Sequence, residues 1–177
     1  YLFFNCQLLT NISSLKDWDV SIGKSFSRMF FACESLQDLK GLQNWNVSNG
    51  KDFSHMFYFC KSLMDISALT NWDVSNGINF SCMFAYCESL KNITALTNWD
   101  VSNGKNFYGM FGYCKKLLDV LALLNWNVSN GKDFSNMFDS CKFLINIEMK
   151  NWNMSNGTDF TEMICNCICL QTIQLPN

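Results

Sequence analysis

Between Phe53 and Cys60 the large apolar side chains fall at Phe53, Met56, Phe57 and Cys60, with Ser54, His55 and Tyr58 in the gaps. The intervals i, i+3, i+4 and i+7 place the apolar set on one face of a helix and predict about two helical turns. Leu63, Ile66 and Leu69 follow at steps of three, and a buried strand is predicted around Ile66. Upstream, Trp45-Asn46-Val47-Ser48 alternates apolar with polar residues, as a short strand with one buried face does. Asn49-Gly50 then supplies a turn, and Gly50 is expected to adopt the left-handed conformation that a Cβ penalises.

The same unit recurs along the chain. Trp18, Trp45, Trp72, Trp99 and Trp126 stand 27 residues apart and Trp152 follows after 26. Cys6, Cys33, Cys60, Cys87, Cys114, Cys141 and Cys167 keep the same ruler, and so do Gly23, Gly50, Gly77, Gly104, Gly131 and Gly157. A fixed period of this length marks a repeat architecture. The missing residue lies between Cys141 and Trp152, so one loop absorbs it and the register survives. The column Ser25, Asp52, Asn79, Asn106, Asp133 and Asp159 offers short oxygen-bearing side chains just before each apolar cluster, where helix N-caps are expected.

These signals predict an α/β solenoid: one repeat array over 1–177, with six full repeats and partial terminal units. Each coil is expected to hold one short helix, and a parallel sheet is expected to run through Ile12, Leu39, Ile66, Ile93, Val120, Ile147 and Ile173. A single coil cannot cover its own apolar face, so stability has to come from stacking. Tyr1 to Cys6 lines up with Arg28 to Cys33, which is read as a chain beginning inside a repeat, as a fragment of a longer protein does.

The recurring string Trp-Asp/Asn-Val-Ser-Asn-Gly-x-x-Phe-Ser-x-Met-Phe-x-x-Cys-x-x-Leu-x-x-Ile resembles the repeats of BspA-like leucine-rich repeat surface proteins. That family includes mycoplasmal lipoproteins and relatives in protozoa and giant viruses. The C-terminal Cys167-Ile168-Cys169-Leu170-Gln171-Thr172-Ile173-Gln174-Leu175-Pro176 is similar to Treponema-type leucine-rich repeats. This chain departs from the family pattern in carrying glycine at positions such as Gly50 and phenylalanine at positions such as Phe53, and its period is slightly longer. The resemblance implies a right-handed solenoid, displayed on a cell surface or secreted, that adheres to a protein or matrix ligand. It carries over no catalytic residue.

Composition narrows the choice further. Thirteen basic and fifteen acidic residues are mixed without blocks and leave a net charge of −2, which points away from a nucleic-acid groove. No apolar run reaches the length of a membrane span, so direct membrane insertion by this segment is not expected. The cysteine column is expected to be a reduced, buried ladder in which each thiol acts as a small hydrophobe. Cys82 is expected to be an exposed thiol, and Cys165, Cys167 and Cys169 alternate in a way that does not suit a metal site. Ten cysteines also fit a reducing compartment, so a cytoplasmic or virion scaffold stands as the alternative to a surface protein.

Neither a cofactor nor catalysis is expected. The only histidine, His55, shares its column with Arg28, Gly109, Asn136 and Glu162, which marks a permissive position. Seven Asn-x-Ser/Thr sequons, including those at Asn46 and Asn156, are read as by-products of the repeat. The asparagines before tryptophan, such as Asn125 and Asn151, are expected to form an amide ladder. Two strips are candidates for partner binding. One flanks the predicted sheet: Asp38, Asp65, Asn92 and Asp119 on one side, Lys40, Ser67 and Thr94 on the other. The other is the aromatic column Phe59, Tyr86 and Tyr113. Glu34, Lys61, Glu88 and Lys115 alternate in sign along one column, and ion pairs between units are expected there.

Overall fold

The computed structural model describes residues 1–176. Each 27-residue unit lies beside the next in parallel register, and the most continuous thread is a series of single bridges that joins Ser25, Asp52, Asn79, Asn106, Asp133 and Asp159. The residues expected to cap helices therefore form the ladder between units. Their side chains still accept a backbone N–H two residues on, as in Ser54 N to Asp52 Oδ1 at 3.0 Å and Ser81 N to Asn79 Oδ1 at 3.1 Å. These are Asx-turns rather than helix caps.

The helix expected over Phe53–Cys60 is absent, and a ribbon of linked turns takes its place. Met56 N donates to Phe53 O and Cys60 N to Phe57 O, both at 3.2 Å, and the second central residues, His55 and Phe59, have φ of 57° and 63°. That is the backbone of a turn needing a positive φ at its third residue. The alternate amides leave the unit altogether. Phe53, His55, Phe57 and Phe59 donate to the carbonyls of Asn79, Ser81, Met83 and Ala85 in the next unit at 2.8–2.9 Å. Two turns of four residues bury Phe53, Met56, Phe57 and Cys60, the same set that a helix would bury. Left-handed backbone at a non-glycine residue costs about 1–2 kcal/mol, and here hydrogen bonds from the neighbouring unit hold it in place.

The predicted sheet is also smaller than expected. Among the described residues the strands are β1 (Asn146–Glu148) and β2 (Thr172–Gln174), paired in parallel as Ile147 with Ile173. Elsewhere in that column Ile66 has φ −114° and ψ 17° and opens a 3-10 turn, Ser67–Leu69, closed by Leu69 N to Ile66 O at 3.0 Å. Equivalent 3-10 turns span Ser13–Asp17, Lys40–Leu42, Thr94–Leu96 and Leu121–Leu123. A second set of Asx-turns follows tryptophan, with Asn46, Asp73 and Asp100 accepting from Ser48, Ser75 and Ser102.

One core of stacked columns runs through the units. The Phe26, Phe53, Phe80, Phe107, Phe134 and Phe160 rings stack with centroids 5.4–5.7 Å apart, inside the range of favourable offset stacking. Polar side-chain atoms, buried for tryptophan and cysteine and exposed for asparagine, reach back one unit. Trp99 Nε1 donates to Leu69 O at 3.0 Å, Cys87 Sγ to Phe57 O at 3.2 Å and Asn103 Nδ2 to Ser75 O at 2.8 Å, and each contact repeats along its column. The amide ladder lies in this last column and not before tryptophan, where Asn151 to Asn125 is the contact found among the described residues. Asn156 Nδ2 belongs to it as well, donating to Ser129 O at 2.8 Å, which gives that sequon nitrogen a structural role.

Gly50 does not adopt the expected left-handed backbone. A Cβ there would stand 2.5 Å from Phe53 Cζ and 2.9 Å from Val47 O, so the glycine is required by the ring that lies against it. Among the described residues the positive-φ glycine is Gly109, inside the turn ribbon.

Candidate ligand-binding surface

The polar strip is built from Asx-turns. Asp38, Asp65, Asn92 and Asp119 each accept the backbone N–H of the residue two ahead, at 2.7–3.1 Å. Those hydrogen bonds, with the Ser67 hydroxyl after its N–H, hold the Asp65 carboxyl below the ordinary carboxylate range. Lys40 lies 3.4 Å from Asp38. Asp65, Ser67, Asn92 and Thr94 border a broad, open depression of about 490 Å³. One oxygen of each acidic side chain is thus committed to its own backbone.

The aromatic strip is longer than its three expected members. Ring centroids follow one another from Phe4 to Phe31 at 4.7 Å, to Tyr58 at 4.8 Å, to Tyr86 at 5.3 Å and to Tyr113 at 4.3 Å. Phe59 joins Tyr86 at 4.9 Å. The stack changes column between Tyr58 and Tyr86, because the residue 27 after Tyr58 is Ala85 and the next is Gly112. The His55 column shrinks in the same units, to Cys82 and Gly109. Where both columns lose their bulk, a recess of about 120 Å³ opens, walled by Tyr58, Tyr86, Tyr108 and Tyr113 with Asp139 at its edge.

The groups around this recess are set by burial. Cys82 is buried, not exposed as expected, and burial followed by Asp133 pushes its thiol up to about 11. Burial and then the Tyr58 and Tyr113 phenols push Tyr86 up to about 12. Asp139 is only 7% exposed, and its Oδ1 accepts from Ser140 Oγ at 3.0 Å and Asn166 Nδ2 at 3.1 Å. In the neighbouring column position, burial first and Arg28 second lower the His55 pKa, while its Nδ1 is buried without a partner.

A family model described as "Mycoplasma protein of unknown function, DUF285" matches residues 1–93 and again 63–174. The chain belongs to this family. The two matches overlap and together span nearly the whole sequence, as successive windows over one repeated unit do. No curated protein and no solved structure matches the DUF285 chain.

Sequence reasoning placed Phe59, Tyr86 and Tyr113 together but missed Tyr58, Tyr108, Cys82 and Asp139. The missing signal was a break within columns. Tyr108 interrupts a run of Ser27, Ser54, Ser81 and Ser135, and Ala85 and Gly112 interrupt a run of Phe4, Phe31 and Tyr58. Breaks of this kind mark where units stop being equivalent.

Proposed function

We propose that this chain is a non-enzymatic interaction or adhesion module: a right-handed leucine-rich-repeat-type solenoid of the BspA-like kind. It takes a protein or matrix ligand on the aromatic strip. The carrying observation is the unbroken stack from Phe4 through Phe31, Tyr58 and Tyr86 to Tyr113, which lies on the outside of the turn ribbon instead of in the core. Rigid aromatic surface gives large contact area at low conformational cost, and such residues dominate binding hot spots. The polar strip is the weaker candidate because its carboxylates already serve the backbone. Most acidic and basic residues recur with the repeat, which supports a non-catalytic role.

By resemblance the module works at a cell surface or after secretion. A cytoplasmic or virion scaffold is the second reading, favoured by the ten cysteines, which are all free. No helix among the described residues is long and apolar enough to cross a membrane.

Two variants test the assignment, with circular dichroism confirming that each folds as the parent does. One changes Asp38, Asp65 and Asp119 to Ser, and the other changes Phe59, Tyr86 and Tyr113 to Ser. In adhesion to cells and to immobilised matrix protein, the aromatic variant is expected to lose most binding and the acidic variant little. Full adhesion by the aromatic variant would overturn the proposal.

A further inference from the structure

Along the strip the chain lays its own cations on aromatic faces. The Arg28 guanidinium sits 5.5 Å from the Tyr1 ring centroid and the Lys61 ammonium 4.5 Å from that of Phe59. Among the described residues, no lysine or arginine lies over Tyr58, Tyr86, Tyr108 or Tyr113, the four rings that wall the recess. Burial, as the leading cause, holds the Tyr58, Tyr86 and Tyr108 phenols above their ordinary titration range, so these rings are neutral at physiological pH. Asp139 supplies a nearly buried carboxylate whose Oδ1 is engaged by Ser140 and Asn166, while its Oδ2 takes no hydrogen bond among the described residues.

We propose that the recess binds a compact alkylammonium group, held among the Tyr58, Tyr86, Tyr108 and Tyr113 rings that line it, with the Asp139 carboxylate as its counter-charge. The inference rests on the strip being an interaction surface and names the chemistry it recognises there. A cation over an aromatic face is attracted by the ring quadrupole, most strongly when water is excluded. Size selects among cations. A volume of about 120 Å³ is well short of the roughly 300 Å³ at which pockets for drug-sized ligands begin and matches one compact ammonium head.

The repeat supplies its own filling variants. Gly109 already has φ 55°, matching His55 at 57°, so Gly109→His puts in the residue that the ribbon carries two units earlier. A Cβ at Gly109 would lie 3.1 Å from the Sγ of Cys82, and both residues line the recess. Likewise Ala85→Tyr restores the ring that Tyr58 presents one unit before.

Tetramethylammonium, n-butylammonium and, as a neutral control of similar bulk, tert-butanol are titrated into the chain while the tyrosine resonances are followed by NMR. Saturable shifts confined to the recess tyrosines are expected with the two cations and not with tert-butanol. Gly109→His, Ala85→Tyr and Asp139→Asn should each weaken binding by about tenfold or more. Phosphocholine and N-acetyl-lysine amide then separate the sources: tighter binding of the first identifies a choline headgroup, and of the second a lysine of a partner protein. Equal response to tert-butanol, or undiminished ammonium binding by both filled variants, would overturn the proposal. Adhesion is measured on the same proteins. No ammonium binding by the parent, together with adhesion lost in the Phe59, Tyr86 and Tyr113 variant, removes the cation site and leaves the interaction surface standing; ammonium binding with adhesion unaffected in that variant does the reverse.

Discussion

The segment from Val120 to Trp126 and the segment from Ile147 to Trp152 perform the same task with different lengths. In the longer one, Leu123 N closes a 3-10 turn onto Val120 O at 2.9 Å. In the shorter one the chain stays extended, and Met149 N reaches the next unit at Gln174 O, 2.8 Å away. Leu123 and Met149 nevertheless fill the same core position, both fully buried, and Trp152 Nε1 still donates back to Leu123 O at 2.7 Å. Removing one residue therefore exchanges a bond within the unit for a bond between units, and the core does not register the change. The turn ribbon lacks that freedom, because every second amide from Phe53 to Phe59 is already pledged to the neighbouring unit.

The sharpest break of this comparison is to delete one residue from each region. Deleting Tyr58 from the ribbon shifts the Phe59 amide that bonds Ala85 and moves Cys60 out of its buried position. The cooperative thermal transition should disappear, and an undisturbed transition would mean that the ribbon is as tolerant as the corner.

Alkaline pH tests the column that both kinds of unit share. Burial, the leading cause, holds the thiols of Cys60, Cys87, Cys114 and Cys141 well above their ordinary value of 9.0. The folded state then keeps protons that the unfolded state releases, so the stabilisation is complete below pH 9 and declines as pH rises toward the folded values. At pH 10 the loss should be about 1 kcal/mol per buried thiol. Melting temperatures recorded under reducing conditions from pH 7 to 10 should fall as pH passes 9, with a shallower slope for Cys114→Ala. Under native conditions these four thiols should also resist alkylation until denaturant is added.

Truncating the equivalent core residues should cost the same in either setting. Leu96→Ala and Met149→Ala are each expected to lose about 2–5 kcal/mol in urea titrations, since both side chains are fully buried. A loss confined to Leu96→Ala would show that the short corner is loosely packed after all.

A deletion at Thr94 should instead be tolerated. It shortens the fourth corner to the length of the sixth, giving up Leu96 N to Ile93 O and gaining a bond to the next unit. Net changes of this type lie within about 1.5 kcal/mol, and hydrogen exchange should report slowed amides at the new strand.

The smallest effect belongs to the surface charges. Lys61 to Glu34 at 2.8 Å and Lys115 to Glu88 at 2.9 Å pair as expected, all four side chains being about a third exposed, whereas the expected meeting of Lys61 with Glu88 is not among the ion pairs of the described residues. Lys61→Glu should cost about 0–1 kcal/mol, more in low salt than in high, and a loss independent of salt would count against the pairing.

Periodicity by itself determined which positions repeat and that the inner members of the cysteine and tryptophan columns, Cys33 to Cys141 and Trp45 to Trp152, lie in the core, because apolar type at a fixed spacing selects the inward face; the terminal Cys6 and Trp18 are exposed. It could not determine the backbone. The set Phe53, Met56, Phe57 and Cys60 satisfies a 3.6-residue helix and a run of four-residue turns equally well, and the two differ only in whether alternate amides bond within the unit or across to the next. Neighbouring units decide that, and the same neighbours require Gly50 through the Phe53 ring instead of through its φ. The recess too is a product of tertiary structure. It exists where Ala85, Gly112, Cys82 and Gly109 from different columns and units come to lie together beside Tyr108 and Asp139. One period read along the chain shows each substitution separately, and only the stacking of units turns them into a shared cavity.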